Sequence, residues 1–148
     1  MQAFKSLAIF TFGGLAYGLL EIIWRGETHI SMFVVGGLCF LMITAIDSVP
    51  LFGGSLLLEA PICAAFVTAA ELISGIIVNI FMNLDVWDYS DMPLNLWGQI
   101  CLPFSAIWLA LAIPAALVSR LMRHFIFEED LPTIRLLPQF RRTAVEEG

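Results

Sequence analysis

At 148 residues the chain is long enough for one domain, yet its 59% hydrophobic and 14% charged content and mean hydropathy of +0.90 exclude an ordinary soluble core, in which about half the residues are apolar and about a quarter charged. The apolar residues come in long blocks almost free of charge, the pattern of helices that satisfy their own backbone inside a bilayer; no stretch alternates as a membrane barrel strand would. The net charge of −6 is a poor guide to partners because acids and bases are segregated along the chain, but no basic stripe is interleaved with aromatics, so nothing supports nucleic acid as a partner.

The fold class that follows is all-α: a polytopic integral membrane protein of four transmembrane helices. The first block, about 6–24, follows Lys5 and lacks the short apolar core and cleavage site of a signal peptide, so a retained helix is expected. Gly13, Gly14 and Gly18 give it a smooth patch for close approach of another helix. Tyr17, Glu21 and Arg25 lie four apart on one face, where Glu21 can pair with Arg25. Trp24 to His29 is a tight connector, with Trp24 at the interface and Gly26 at the turn. The second block, about 30–46, carries Gly36-Gly37 and ends at Asp47; Pro50 and Gly53-Gly54 form a short link.

The third block, about 55–81, is longer than a bilayer needs: about 40 Å as a helix against about 30 Å of hydrocarbon. Pro61 offers an early break. Glu71, Gly75 and Asn79 repeat every four residues with Ser74 beside them, a polar stripe on an apolar helix. An ionisable group at such a depth costs about 2.5–3.5 kcal/mol on insertion scales, so an anchor alone has no use for it. The interval from Asn83 to Trp97 carries Trp87, Tyr89, Leu94 and Trp97, which fits a short segment at the membrane interface. The fourth block, about 98–122, is expected to kink at Pro114. Residues 1–124 then form the transmembrane domain. Residues 125–148, with Glu128-Glu129-Asp130, two prolines and Arg141-Arg142, form a solvated cytoplasmic tail.

Lys5 precedes the first helix, and Arg120, Arg123, Arg135, Arg141 and Arg142 cluster at or beyond the end of the fourth, whereas the two opposite connections hold only Arg25. Both termini are therefore expected in the cytoplasm, in the cell inner membrane. That orientation sends Glu21, Arg25, His29, Glu71, Ser74, Asn79, Asp88, Tyr89, Asn95 and Gln99 toward one outward-facing level, as substrate-binding rather than catalytic residues. Structural roles remain open for the same groups: Glu21 and Glu71 as interhelical hydrogen-bonding carboxylates, Arg25 and His29 as an interfacial pair, Asp88, Asn95 and Gln99 as caps. Trp87, Trp97 and Trp108 suit belt or packing roles. Cys39, Cys63 and Cys101 sit in apolar blocks with no CxxC or Cys/His spacing and read as free buried thiols. No metal or cofactor motif is present in the sequence.

The segments Gly18-Leu-Leu-Glu-Ile-Ile-Trp-Arg-Gly, Thr28-His-Ile-Ser-Met-Phe, Gly36-Gly-Leu-Cys-Phe, Glu71-Leu-Ile-Ser-Gly, Trp87-Asp-Tyr-Ser and Asn95-Leu-Trp-Gly-Gln-Ile-Cys-Leu resemble the bacterial family labelled "Putative ABC-transporter type IV". Glu-x-x-Ser-Gly and Trp-Asp-Tyr-Ser also resemble a vertebrate family of multi-pass membrane proteins. The resemblance implies a permease. The chain has no GxxxxGK[ST] phosphate loop, so an ABC-type role implies a separate ATPase. Four helices are few for a permeation path, which implies a homodimer or a partner membrane subunit.

Transport of a small solute or ion through an outward-facing polar pocket, with Glu21 and Glu71 exchanging protons or cations, is the leading expectation. An intramembrane enzyme acting on a lipid is the first alternative, with Glu71 or Asp88 as base and Arg25 on a phosphate. It lacks a recognisable nucleophile and base, since no His accompanies Ser74 on its own helix. An accessory subunit of a membrane complex is the second.

Overall fold

The computed structural model describes residues 2–49, 54–130 and 134–137; Pro50, Gly53, the two tail prolines, Arg141 and Arg142 lie outside them. Four helices are long and apolar enough to cross a membrane: α1 (Gln2–Arg25), α2 (Ile30–Asp47), α3 (Leu56–Gly75, continued by a π-helical turn over Ile76–Phe81) and α4 (Leu102–Phe127). Among the described residues there is no strand, only two isolated bridges.

The helices alternate in direction, so the start of α1 and the end of α4 share one end of the bundle. There Lys5 pairs with Glu129 at 2.8 Å and lies over the Phe127 ring. At this termini end α4 extends beyond its expected close, to Phe127, and Glu128 ends it in a left-handed conformation at φ 54° whose N–H bonds back to Arg123.

α1 and α2 pack as a close hairpin because glycines face each other. A Cβ on Gly13 would collide with Phe40 and the Gly36 carbonyl, and one on Gly36 with Tyr17. The glycine patch expected on α1 is thus filled by α2 of the same chain, and Gly13 and Gly14 offer nothing to a second copy. Cys39, Ile43, Leu56, Ala60, Cys63, Val67, Ala112 and Ala116 form the main core between α2, α3 and α4. All three cysteines are buried and unbridged.

Three expectations change. Pro61 does not break α3, which stays helical across it. The fourth helix starts at Leu102 rather than 98, because Trp97 and Gly98 hold positive φ of 53° and 68° and Pro103 fits the first helical turn, where its missing N–H costs nothing. The described part of the tail is not wholly solvated either. The carbonyls of Arg135 and Leu136 accept from Leu56 and Leu57 N–H at 2.9 and 3.3 Å, while Arg135 N–H returns to Gly54. The tail backbone thereby satisfies amides that a helix start otherwise leaves unpaired.

Candidate functional site

The segment joining α3 to α4, residues 82–101, is irregular but tied down. Asn79, in the π-helical turn, donates to the Trp87 carbonyl at 3.0 Å and to Gln99 Oε1 at 2.8 Å, and accepts from Val86 N–H at 2.7 Å. Trp87 donates its indole N–H to the Gln99 carbonyl, and Gln99 donates to the Trp97 carbonyl. Gly75 makes this possible: a Cβ there would meet Gln99 and the Trp87 ring. The π turn is what aims Asn79 at the loop, a use such turns often have. At the loop's outer edge Asp88 Oδ1 accepts from Ser90 N–H at 2.8 Å and from its hydroxyl. Asn95 bridges the Ser90 and Met92 carbonyls and accepts from Gly98 N–H.

Behind this loop lies Glu71, 2% exposed. Its carboxylate accepts from the Tyr89 hydroxyl at 3.0 Å and from Trp108 Nε1 at 2.9 Å. Tyr89 stacks on Phe104 at 4.6 Å, and Trp108 on Tyr17 at 5.6 Å. Glu71 therefore gathers α3, the loop and α4 onto one carboxylate. Burial pushes the Tyr89 phenol above its ordinary pKa, and the Glu71 charge adds to this, so the hydroxyl stays a donor. On α1, Glu21 pairs with Arg25 at 2.7 Å and accepts from Thr28 at 2.6 Å. Arg25 donates onward to the Val86 carbonyl at 2.7 Å, binding α1 to the loop.

Between α1, α4 and the loop is a cavity of about 450 Å³ lined by Tyr17, Glu21, Trp24, Arg25, Asp88, Tyr89, Phe104 and Trp108, with aliphatic side chains from both helices. Tyr17, Glu21 and Arg25 reach it together, as their spacing predicted. Its charges are confined to Glu21, Arg25 and Asp88; the remaining wall is aromatic and aliphatic. Asp88 is fully exposed, and its hydrogen bonds from the Ser90 hydroxyl and amide hold its carboxyl below the usual carboxylate range, so it is ionised at neutral pH.

Of the ten residues expected at the site, four line the cavity: Glu21, Arg25, Asp88 and Tyr89. Glu71 stands one hydrogen bond behind. Asn79, Asn95 and Gln99 hold the loop. Ser74 donates to the Glu71 carbonyl, and His29 caps α2 by accepting from Ser31 N–H at 3.2 Å, its ring nitrogen also meeting the Ser31 hydroxyl. Ser74 and His29 thus bond to different partners on different helices and do not form a nucleophile and base.

The sequence reading missed a second polar cluster, at the termini end. Arg120, wholly buried, bridges Asp47 at 2.5 Å and Glu59 at 2.7 Å and reaches the Gly54 carbonyl. Arg123 also pairs with Asp47 and donates to Ser48 at 2.7 Å, while Ser119 donates to Thr44. In the sequence Arg120 and Arg123 bear only on the orientation of the chain. The usable signal was the presence of Glu59 and Arg120 inside apolar helices, where an ionisable group calls for a partner.

No curated protein and no solved structure matches the chain. Residues 7–138 match the family described as "Putative ABC-transporter type IV", in agreement with the bacterial resemblance; the vertebrate one gains nothing from it. Four membrane-length helices and a match over most of its length make this a transport-related multi-pass membrane protein, and the chain belongs to the Putative ABC-transporter type IV family.

Proposed function

We propose that the protein is a permease or permease subunit that binds a small solute or ion in the cavity between α1, α4 and the α3–α4 loop. The observation that carries this reading is convergence: Glu21 and Arg25 from α1, and Asp88 and Tyr89 from the loop, meet at one cavity of about 450 Å³, within the range of ligand sites. Glu21, Arg25, Asp88 and Tyr89 contact the ligand. Glu71, Ser74, Asn79, Asn95, Gln99 and His29 hold the frame, with Glu71 fixing Tyr89 from behind. Opening the loop means parting Arg25 from the Val86 carbonyl and Tyr89 from Glu71, two bonds that link ligand access to the loop's position.

The loop end faces outward and both termini face the cytoplasm of the cell inner membrane, because Lys5, Arg123 and Arg135 gather at the termini end. A second copy or a partner subunit completes the path. Since the sequence has no phosphate loop, a separate ATPase supplies any ATP energy.

The test is native mass spectrometry of the protein released from mild detergent, comparing parent, Arg25→Gln and Tyr89→Phe. The expected result is a small molecule retained by the parent and depleted in both variants. A molecule retained equally by all three would remove this cavity as the site.

A further inference from the structure

The cavity does not end at the charged residues. α1 meets the end of the α4 region at the termini end through Lys5 and Glu129, and touches α4 again toward the loop end where Tyr17 stacks on Trp108 and Trp24 packs edge-on against Phe104. A second cavity of about 250 Å³ adjoins the first, with Tyr17, Leu20, Trp108 and Leu111 lining both, and reaches Phe12, Ala16, Ala112 and Val118. No charged side chain lines this second part. Together the two cavities border α1 from Arg25 to Phe12, about 20 Å at 1.5 Å per residue. Its bilayer edge is apolar, with Leu20 47%, Ile23 73% and Ile107 40% exposed. A long apolar slot charged only at one end matches a molecule with a polar head and one apolar chain.

The charges at the head end set the sign. Glu21 and Asp88 carry two negative charges against the single positive charge of Arg25, and that guanidinium already holds Glu21 and the Val86 carbonyl. Both hydrogen bonds to Asp88 fall on Oδ1, which leaves Oδ2 able to accept from a ligand. Trp24, Tyr89 and Phe104 line the same end, and aromatic rings attract cations once water is excluded.

We propose that the cleft between α1 and α4 holds a single-chain amphiphile with a cationic head, entering sideways from the bilayer, its head beside Asp88 and Glu21 and its chain along Ala16 and Ala112. This rests on the reading of the outer cavity as the ligand site and names the class of ligand. A chain leaving the hydrocarbon for the slot exchanges one apolar surrounding for another, so selectivity comes from the head and the fit of the chain, not from the hydrophobic effect.

The experiment titrates the full-length protein in maltoside micelles with three probes: dodecyltrimethylammonium, laurate and tetramethylammonium. Adducts are counted by native mass spectrometry. The expected result is one dodecyltrimethylammonium per chain, bound about tenfold or more tightly than either other probe. Ala16→Trp, which fills the slot, and Asp88→Asn should each weaken it about tenfold. Leu19→Trp, on the 58% exposed outer face of the same helix, should leave it unchanged.

Laurate bound as tightly as the cationic probe would overturn the charge assignment. Tetramethylammonium bound as tightly, with Ala16→Trp harmless, would overturn the amphiphile while leaving a small-solute site in place. Failure of all three probes would count against both readings, and a dimer carrying no adduct would make the cleft an interface between copies. If Ala16→Trp does not fold, the comparison of probes in the parent and the exposed Asp88→Asn variant decide the matter alone.

Discussion

Each end of the bundle holds a cluster of four charged side chains, Asp47, Glu59, Arg120 and Arg123 at one and Glu21, Arg25, Glu71 and Asp88 at the other, and the two are used in opposite ways. At the termini end Arg120 is sealed at 0% exposure between Asp47 and Glu59, both also buried, and Arg123 closes the other side of Asp47. Two acids face two bases and the sum is zero. At the loop end Glu21, Arg25 and Asp88 border a cavity and sum to −1, while Glu71 is held by neutral donors only. Paired charge without space is a fastening; charge beside space is a place for a ligand. Composition counts both alike, and only packing separates them.

The contrast breaks most visibly at Arg120. Replacing it with Met leaves Glu59 without the partner that neutralises it, and losing one side of a buried pair costs about 3–5 kcal/mol. Unfolding by rising mole fraction of dodecyl sulfate should show a loss of that size; a loss below about 1 kcal/mol would mean that water reaches the cluster. Asn79→Ala should cost less, about 1–3 kcal/mol for the unsatisfied Val86 amide and its neighbours, and amide exchange at Val86 should quicken while the helices stay protected. Unchanged exchange there would mean that the loop holds itself.

Tyr89→Phe keeps the stack on Phe104 but removes the donor to Glu71. Since side-chain hydrogen bonds within membrane proteins average about 0.6 kcal/mol, its stability should barely move while ligand retention falls; a large loss of stability would class Glu71 with the fastening at the other end.

The smallest effect concerns pH. The Asp88 carboxyl lies below its ordinary value when folded, so its turn is favoured above the unfolded value of about 3.9 and is released as pH falls through the lower, folded one. The Ser90 amide resonance, whose N–H bonds to Asp88, should follow that titration in the parent and stay flat in Asp88→Asn; a flat parent would refute the turn's dependence on ionisation.

Much of the fold was legible because a bilayer imposes a coarse rule, long apolar runs, that four segments obey. The Tyr17, Glu21 and Arg25 face was legible because helical spacing is local. What escaped depended on distance along the chain. Glu59 and Arg120 are 61 residues apart, and nothing near either announces the other. The start of α4 was misplaced because positive φ at Leu94 and Trp97 runs against the preference of large side chains, and only the Asn79, Trp87 and Gln99 network explains why the loop holds it. Glu71 was legible as an anomaly, but its donors Tyr89 and Trp108 lie 18 and 37 residues away.

The docking of Arg135 and Leu136 on the start of α3 has a consequence for biogenesis. Translation makes Leu56 and Leu57 long before the carbonyls that receive their amides. During synthesis the third span therefore enters the bilayer with its leading turn unfinished, its N–H groups served by water or headgroups. The third span is capped only by a segment made after the fourth, so its first turn is finished once the chain beyond α4 has folded back onto it.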